Sequence, residues 1–144
     1  MLKAKLLFTV VVTVAIASAA PGLAQEKFWR TVQVPAGATA RLGSFSNLKP
    51  DCSPGPLPEI KVVTPAKTGV IAVRRRQGKL GPATRCPNAD ATAQIVSYQA
   101  KPTPGQDEVA FQVTLPNGKV VLHTVVISVT EGPGTGRSND DDQP

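Results

Sequence analysis

Aromatic residues are scarce in this chain: one Trp, one Tyr and four Phe in 144 residues. A core must therefore come mainly from Val, Ile and Leu, whose branched side chains suit a pleated sheet. Histidine is scarcer still. His123 is the only one, so a Ser-His-Asp or Cys-His catalyst would have to use it. No Gly-x-Ser-x-Gly elbow accompanies it, and it lies within a strand pattern, which makes it a structural histidine. The two cysteines, Cys52 and Cys86, have no Cys-x-x-Cys spacing and no neighbouring histidine, against a metal site or a reactive thiol pair. No segment shows an apolar stripe at helical spacing. No catalytic residue, metal ligand set or cofactor is expected.

The one long apolar run stands at the beginning. Lys3 and Lys5 precede Leu6 to Ala17, and small residues follow at Gly22 and Ala24 before Gln25. Charged start, short apolar middle and small-residue end describe a secretory signal peptide over residues 1–24, with Ala17-Ser18-Ala19 as a competing cleavage site. The run is shorter than the about 20 residues of a membrane span, and no second one follows. No cysteine marks the cleavage point, against a lipid-anchored bacterial form. The expectation is a secreted or periplasmic bacterial protein with no transmembrane segment after cleavage. In that oxidising setting Cys52 and Cys86 read as one disulfide.

Residues 25–131 suffice for one domain. Phe28 to Val34 alternates apolar and polar residues and stops at Pro35-Ala36-Gly37, a strand followed by a turn. Ala38 to Leu42 is a weaker second strand. Ser46 to Pro58, rich in Pro, Gly, Ser and Asn, is an irregular loop tied by Cys52. Glu59 to Thr64 and Gly69 to Val73 are strands, the latter entering Arg74-Arg75-Arg76; Gln77 to Asp90 is a second loop, holding Cys86. Gln94 to Ala100, Glu108 to Thr114 and Lys119 to Thr130 complete the set. Asn117-Gly118 marks a tight hairpin between the last two. The final strand changes apolar frame around His123, which predicts a β-bulge there. The tail over residues 132–144, with Asp140, Asp141 and Asp142, is too polar to pack and reads as disordered. About seven short strands with Pro/Gly turns predict an all-β, two-sheet antiparallel sandwich; an up-and-down barrel is the alternative.

From Tyr98 to Val113 the chain resembles bacterial Ig-like and cadherin-like modules, in which a Tyr-x-Pro strand end leads to a Gly-x-Asp turn and an alternating aromatic strand. Here the stretch runs Tyr98-Gln99-Ala100-Lys101-Pro102-Thr103-Pro104-Gly105-Gln106-Asp107, then Glu108 to Val113 with Phe111. Pro65-Ala66-Lys67-Thr68-Gly69-Val70 resembles an earlier strand start of those modules, and Val125 to Val129 their last strand. The resemblance spans about residues 65–129 and implies an Ig-like sandwich serving as a free-standing envelope module. The chain departs from the pattern at Val109, where many modules carry an aromatic. It departs again at Leu115-Pro116-Asn117, where they carry an acid, so calcium is not implied.

Charge supplies the remaining signal. Residues 27–131 hold thirteen Lys and Arg against six Asp and Glu, a net of +7, which attracts polyanions. Arg74, Arg75, Arg76 and Lys79 cluster, with Arg85 across the same loop, and guanidinium groups suit bidentate binding of phosphate, sulfate or carboxylate. In a strand Arg74 and Arg76 face one way and Arg75 the other, and the same run also suits a charge-protected edge strand. Export makes an envelope protein, anionic polysaccharide or lipid the expected partner, rather than nucleic acid. Asp107 and Glu108 are adjacent, so they point to opposite faces of a strand; Asp107 is expected to accept bonds from backbone amides. The function these features imply is a non-enzymatic binding or structural module. A small exported inhibitor acting through the Cys52 to Pro58 loop, or a small exported hydrolase, is the alternative.

Overall fold

Alternating β-branched segments separated by Pro and Gly pair into sheets, because each buries one face and leaves the other to water. The computed structural model describes residues 25–132, so the expected signal segment and all of the tail but Gly132 lie outside the described residues. Seven strands and no helix are present among them: β1 (Glu26–Pro35), β2 (Thr39–Ser46), β3 (Glu59–Thr64), β4 (Val70–Lys79), β5 (Asp90–Gln99), β6 (Gly105–Thr114) and β7 (Val120–Thr130). They form two sheets, ordered β1-β7-β6-β3 and β2-β5-β4. All pairings are antiparallel except β1 with β7, which is parallel. Val34, Leu42, Val96, Tyr98, Val109, Phe111, Val113, Val125 and Ile127 are all but sealed from solvent between the sheets.

No bulge occurs at His123. Residues 120–130 pair without a break against β6 and β1. Val121, Val125, Ile127 and Val129 are buried on the inner face, and His123 shares their parity. Val120 and Leu122 are apolar residues of the outer face, half-exposed, and they alone create the apparent change of frame. The bulges lie elsewhere, between Arg41 and Gly43 on β2 and between Val62 and Thr64 on β3. The first has a clear effect on packing. The additional residue, Leu42, is buried, and the frame shift beyond it turns Phe45 inward, edge-on to Phe111 at 6.0 Å and to His123 at 5.4 Å. Gly43 makes room for that ring, since a Cβ there would overlap Phe45.

The turn after β6 differs from the tight two-residue form. The Gly118 amide donates to Leu115 O and the Leu115 amide to Lys119 O. Only Gly118 takes a positive φ, 85°, so Pro116-Asn117 form a type I turn closed by a glycine bulge. Pro116 supplies the fixed φ that position wants.

Cys52 and Cys86 are bonded, across a sequence separation of 34. The Leu48 to Pro54 segment folds back on itself, joined by the Leu48–Pro54 bridge and by the Lys49 amide donating to Ser53 O. The disulfide then fastens this short hairpin to the β4–β5 loop. Replacing both cysteines by serine should lower unfolding stability by about 3–4 kcal/mol, the loop-closure entropy of a bridge this long. Denaturant unfolding of the two forms measures it, and equal midpoints would show that the bridge constrains nothing the fold has not already fixed.

Candidate anion-binding face

The candidate face depends on how the chain enters β4. The loop over residues 65–69 carries the chain from β3 in one sheet to β4 in the other, and it wraps a single carboxylate. Asp107, on the inner face of β6, is 4 % exposed. Its Oδ1 accepts the amides of Lys67 and of Glu108, each at 2.9 Å. Its Oδ2 accepts the amides of Thr68 and Gly69, the Thr68 hydroxyl and the Tyr98 hydroxyl, at 2.9–3.0 Å. Three successive amides pointing inward make an anion-binding concavity, here filled by the protein's own side chain. Burial alone would raise the Asp107 carboxyl; the amides of Gly69, Lys67 and Thr68, with the Tyr98 hydroxyl, instead hold it well below the usual carboxylate range. Burial and the Asp107 charge push the Tyr98 hydroxyl up. Gly69 has no substitute here, because a Cβ would run into the Tyr98 ring and the Gln99 carbonyl.

From the loop so held, β4 pairs along its whole length with β5, from Val70 opposite Gln99 to Lys79 opposite Asp90. The basic run is therefore part of the strand, and β4 forms one edge of its sheet. Inner positions Ile71 and Val73 pack on the core. Val70, Ala72, Arg74 and Arg76 line the outer face, facing Ile95, Ser97 and Gln99 of β5 and Thr39 and Arg41 of β2, around a shallow groove of about 430 Å³. Three guanidinium groups thus share one surface: Arg74 and Arg76 on one outer strand, Arg41 on the other, with Arg41 opposite Ser97 across the ladder. Strand spacing puts β2 and β4 about 10 Å apart across β5, within the combined span of two arginine side chains. No carboxylate lines this groove among the described residues.

The five cations singled out from sequence are divided by the fold. Arg74 and Arg76 are on the outer face. Arg75 lies on the opposite side of the strand, beside a separate cleft of about 230 Å³ with Leu48, Pro54 and Leu57. Lys79 is ion-paired with Asp90 at 3.0 Å on the surface. Arg85 reaches back to the disulfide hairpin, where its guanidinium donates to the carbonyls of Leu48, Lys49 and Pro50 at 3.3–3.4 Å. Arg41 was not legible as a member: it stands alone among small residues, and only long-range pairing through β5 brings it to Arg74.

His123 is a packing element. Its ring lies between Phe28 (centroids 5.4 Å apart, planes at 16°) and Phe111 (5.0 Å, 6°). Burial, then the nearby Arg30 charge, lowers its pKa, so the neutral ring is the form the stack favours. Glu108 is exposed while Asp107 is buried, as their adjacency requires. No group of three or more His, Cys, Asp or Glu side chains that could hold a metal occurs among the described residues. No helix long and apolar enough to cross a membrane occurs among them either.

Asp107→Asn should cost about 3 kcal/mol or more, because it removes hydrogen bonds to a charged acceptor, worth about 1.5–3 kcal/mol each, and turns an amide nitrogen toward buried donors. The pH dependence has a fixed sign. A carboxyl held low when folded contributes stability that is complete above its unfolded pKa of about 3.9 and is lost as pH falls towards its folded value. Wild-type stability should therefore decline below about pH 4, and the variant should lack that part of the slope. Parallel slopes in urea titrations would show that Asp107 is not the group responsible.

Comparison of the chain with family models, with curated proteins and with solved structures finds no match in any of the three.

Proposed function

We propose that this chain is an exported, non-enzymatic Ig-like module of the bacterial envelope that contacts anionic polysaccharide or lipid through the outer face of the β2-β5-β4 sheet. The observation that carries the contact is the convergence of Arg41, Arg74 and Arg76 on one groove with no carboxylate among its described lining. Hydroxyl and amide groups of Thr39, Ser97 and Gln99 supplement the guanidiniums, and Ala72 and Ile95 give the groove an apolar floor. Export is supported by the formed disulfide, a bond that persists in oxidising compartments, together with the apolar start of the sequence. The Ig-like assignment is supported by the sheet orders β1-β7-β6-β3 and β2-β5-β4. With letters A to G for β1 to β7, these contain the C-F-G and B-E-D sets of Ig domains, with the first strand beside the last. The residues that resemble those modules (Tyr98, Asp107 and the loop from Pro65 to Gly69) meet at one carboxylate.

The Cys52 hairpin favours a second use, as the rigid presenting loop of an exported inhibitor. The disulfide, the Arg85 bonds and the Asp51 carboxylate accepting the Ser53 amide and hydroxyl all hold its shape.

Binding to dextran sulfate and to anionic vesicles tests the main proposal and separates polymer from lipid. Affinity should be weak and fall steeply with salt, since exposed charges are screened beyond about 8 Å at physiological ionic strength. Substituting Arg41, Arg74 and Arg76 together by Ser should remove most of the binding, with stability changed by only about 0.5 kcal/mol per exposed site. Arg75→Ser should bind as wild type. Equal binding by wild type and the triple variant would refute the face and leave an edge strand protected by its charge.

A further inference from the structure

Three of the four edge strands are guarded against a further strand. β2 and β3 each carry a bulge, and β4 carries Arg74, Arg75, Arg76 and Lys79; bulges and like charges keep an edge unpaired. β1 differs. It runs ten residues in unbroken register with β7, and no strand lies beyond it among the described residues. Its first six residues, Glu26 to Thr31, are exposed whichever face they belong to. Phe28 has the parity of Val32 and Val34, which pack in the core, so it belongs to the inner face. Its ring stacks on His123 and is otherwise left uncovered by the smaller sheet, with the residue 54 % exposed. Trp29, on the outer face, is 68 % exposed.

The charges of this stretch are ordered so that they complement a second copy. Glu26 and Arg30 stand two residues to either side of Phe28, and Lys27 is the only charge between them. In a closed two-fold pair of identical antiparallel strands, opposed residues share a face and so have equal parity. Centring such a pair on Lys27 or on Arg30 sets like charges directly opposite, which is destabilising. Centring it on Trp29 leaves Glu26 opposite Val32. Centring it on Phe28 sets Glu26 opposite Arg30 twice, Lys27 opposite Trp29 twice, and ring against ring. Glu26 meets Lys119 through Oε1 at 2.7 Å, which leaves its second carboxylate oxygen to accept from an arginine. Among the described residues no carboxylate pairs with Arg30.

We propose that β1 of one copy pairs antiparallel with β1 of a second copy about a two-fold axis at Phe28, joining the two larger sheets into one of eight strands. The contact is confined to about residues 25–31, a small interface of the kind that associates weakly, so the dimer forms in a concentration-dependent way. The axis stands perpendicular to the joined sheet, so both smaller sheets lie on the same side of it and their arginine faces point the same way. This last consequence rests on the anion-binding role of those faces: a polyanion that spans both engages them together and gains avidity.

Sedimentation equilibrium of the wild-type protein from micromolar to millimolar concentration tests the pairing. The average mass should rise from that of the monomer towards twice that value. Arg30→Glu sets carboxylates opposite each other and should weaken association by about 10-fold or more. Glu26→Arg combined with Arg30→Glu restores opposite charges across the axis and should recover most of the association. A wild type that stays monomeric throughout would overturn the proposal. Association untouched by Arg30→Glu would place the contact on another surface, and a double variant no better than the single one would overturn the register. Dextran sulfate binding separates this proposal from the reading of the arginine face. A dimer that binds no dextran sulfate would uphold the pairing and refute that face, and a strict monomer that binds it would do the reverse.

Discussion

One buried carboxylate organises this molecule. Asp107 sits on β6 in the four-stranded sheet, accepts a bond from Tyr98 of the three-stranded sheet, and is wrapped by the loop that crosses between the two. A carboxylate has about four lone-pair sites, and this one takes six donors, its own neighbour Glu108 among them. Hydrogen bonds to a charged acceptor are the strong ones, about twice neutral bonds, and low local polarity strengthens them further. The cost of burying the charge is offset because nearly every direction around it holds a donor. The constraint acts through position. The loop that leads directly into β4 is held, the pairing of β4 with β5 runs on from its end in register, and Arg74 and Arg76 stand on the outer face.

Much of the fold was legible because the turn residues and the period-two pattern agree. β3 begins after Pro58 and ends before Pro65, and its observed bounds match the pattern at both ends. β6 and β7 follow from alternation on either side of Pro116-Asn117-Gly118. Other features were invisible for identifiable reasons. The bulge at Leu42 depends on space beneath Phe45, a relation between a glycine and a ring two residues on. At the same time Val120 and Leu122 imitate a frame shift, because apolar residues also occupy the outer face of the larger sheet. The extension of β4 through three arginines and Lys79 is carried by backbone pairing with β5, which leaves no trace in the side chains. The cation cluster was partly legible in the same sense. Its local members could be named, but their division between two faces, an ion pair and a loop clamp needed the paired strands. Arg41 lies more than thirty residues away in sequence.

The disulfide hairpin and the arginine face divide the labour at the surface. Cys86 is buried beside the hairpin it fastens, and Arg85 next to it caps three carbonyls that would otherwise face water alone. That use of Arg85 separates it from the arginines of the outer face and gives it a structural role. The remaining cations stand on β4, an edge strand, and on β2, the opposite edge. Charged edges discourage pairing with other sheets. The same arginines therefore place charge on both edges of the sheet and, on the outer face, provide the surface proposed to meet a polyanion.

The dependence of β4 on Asp107 is tested most directly by amide hydrogen exchange at Lys67, Thr68 and Gly69. These three amides lie in a surface loop and would exchange quickly if the loop opened on its own, as loops commonly do. Bonded to Asp107, they should instead be protected to the same free energy as the core amides of β6, exchanging only when the whole domain unfolds. Exchange at loop-like rates beside a protected β6 would contradict the account, and would show that the carboxylate follows the fold of β4 rather than setting it.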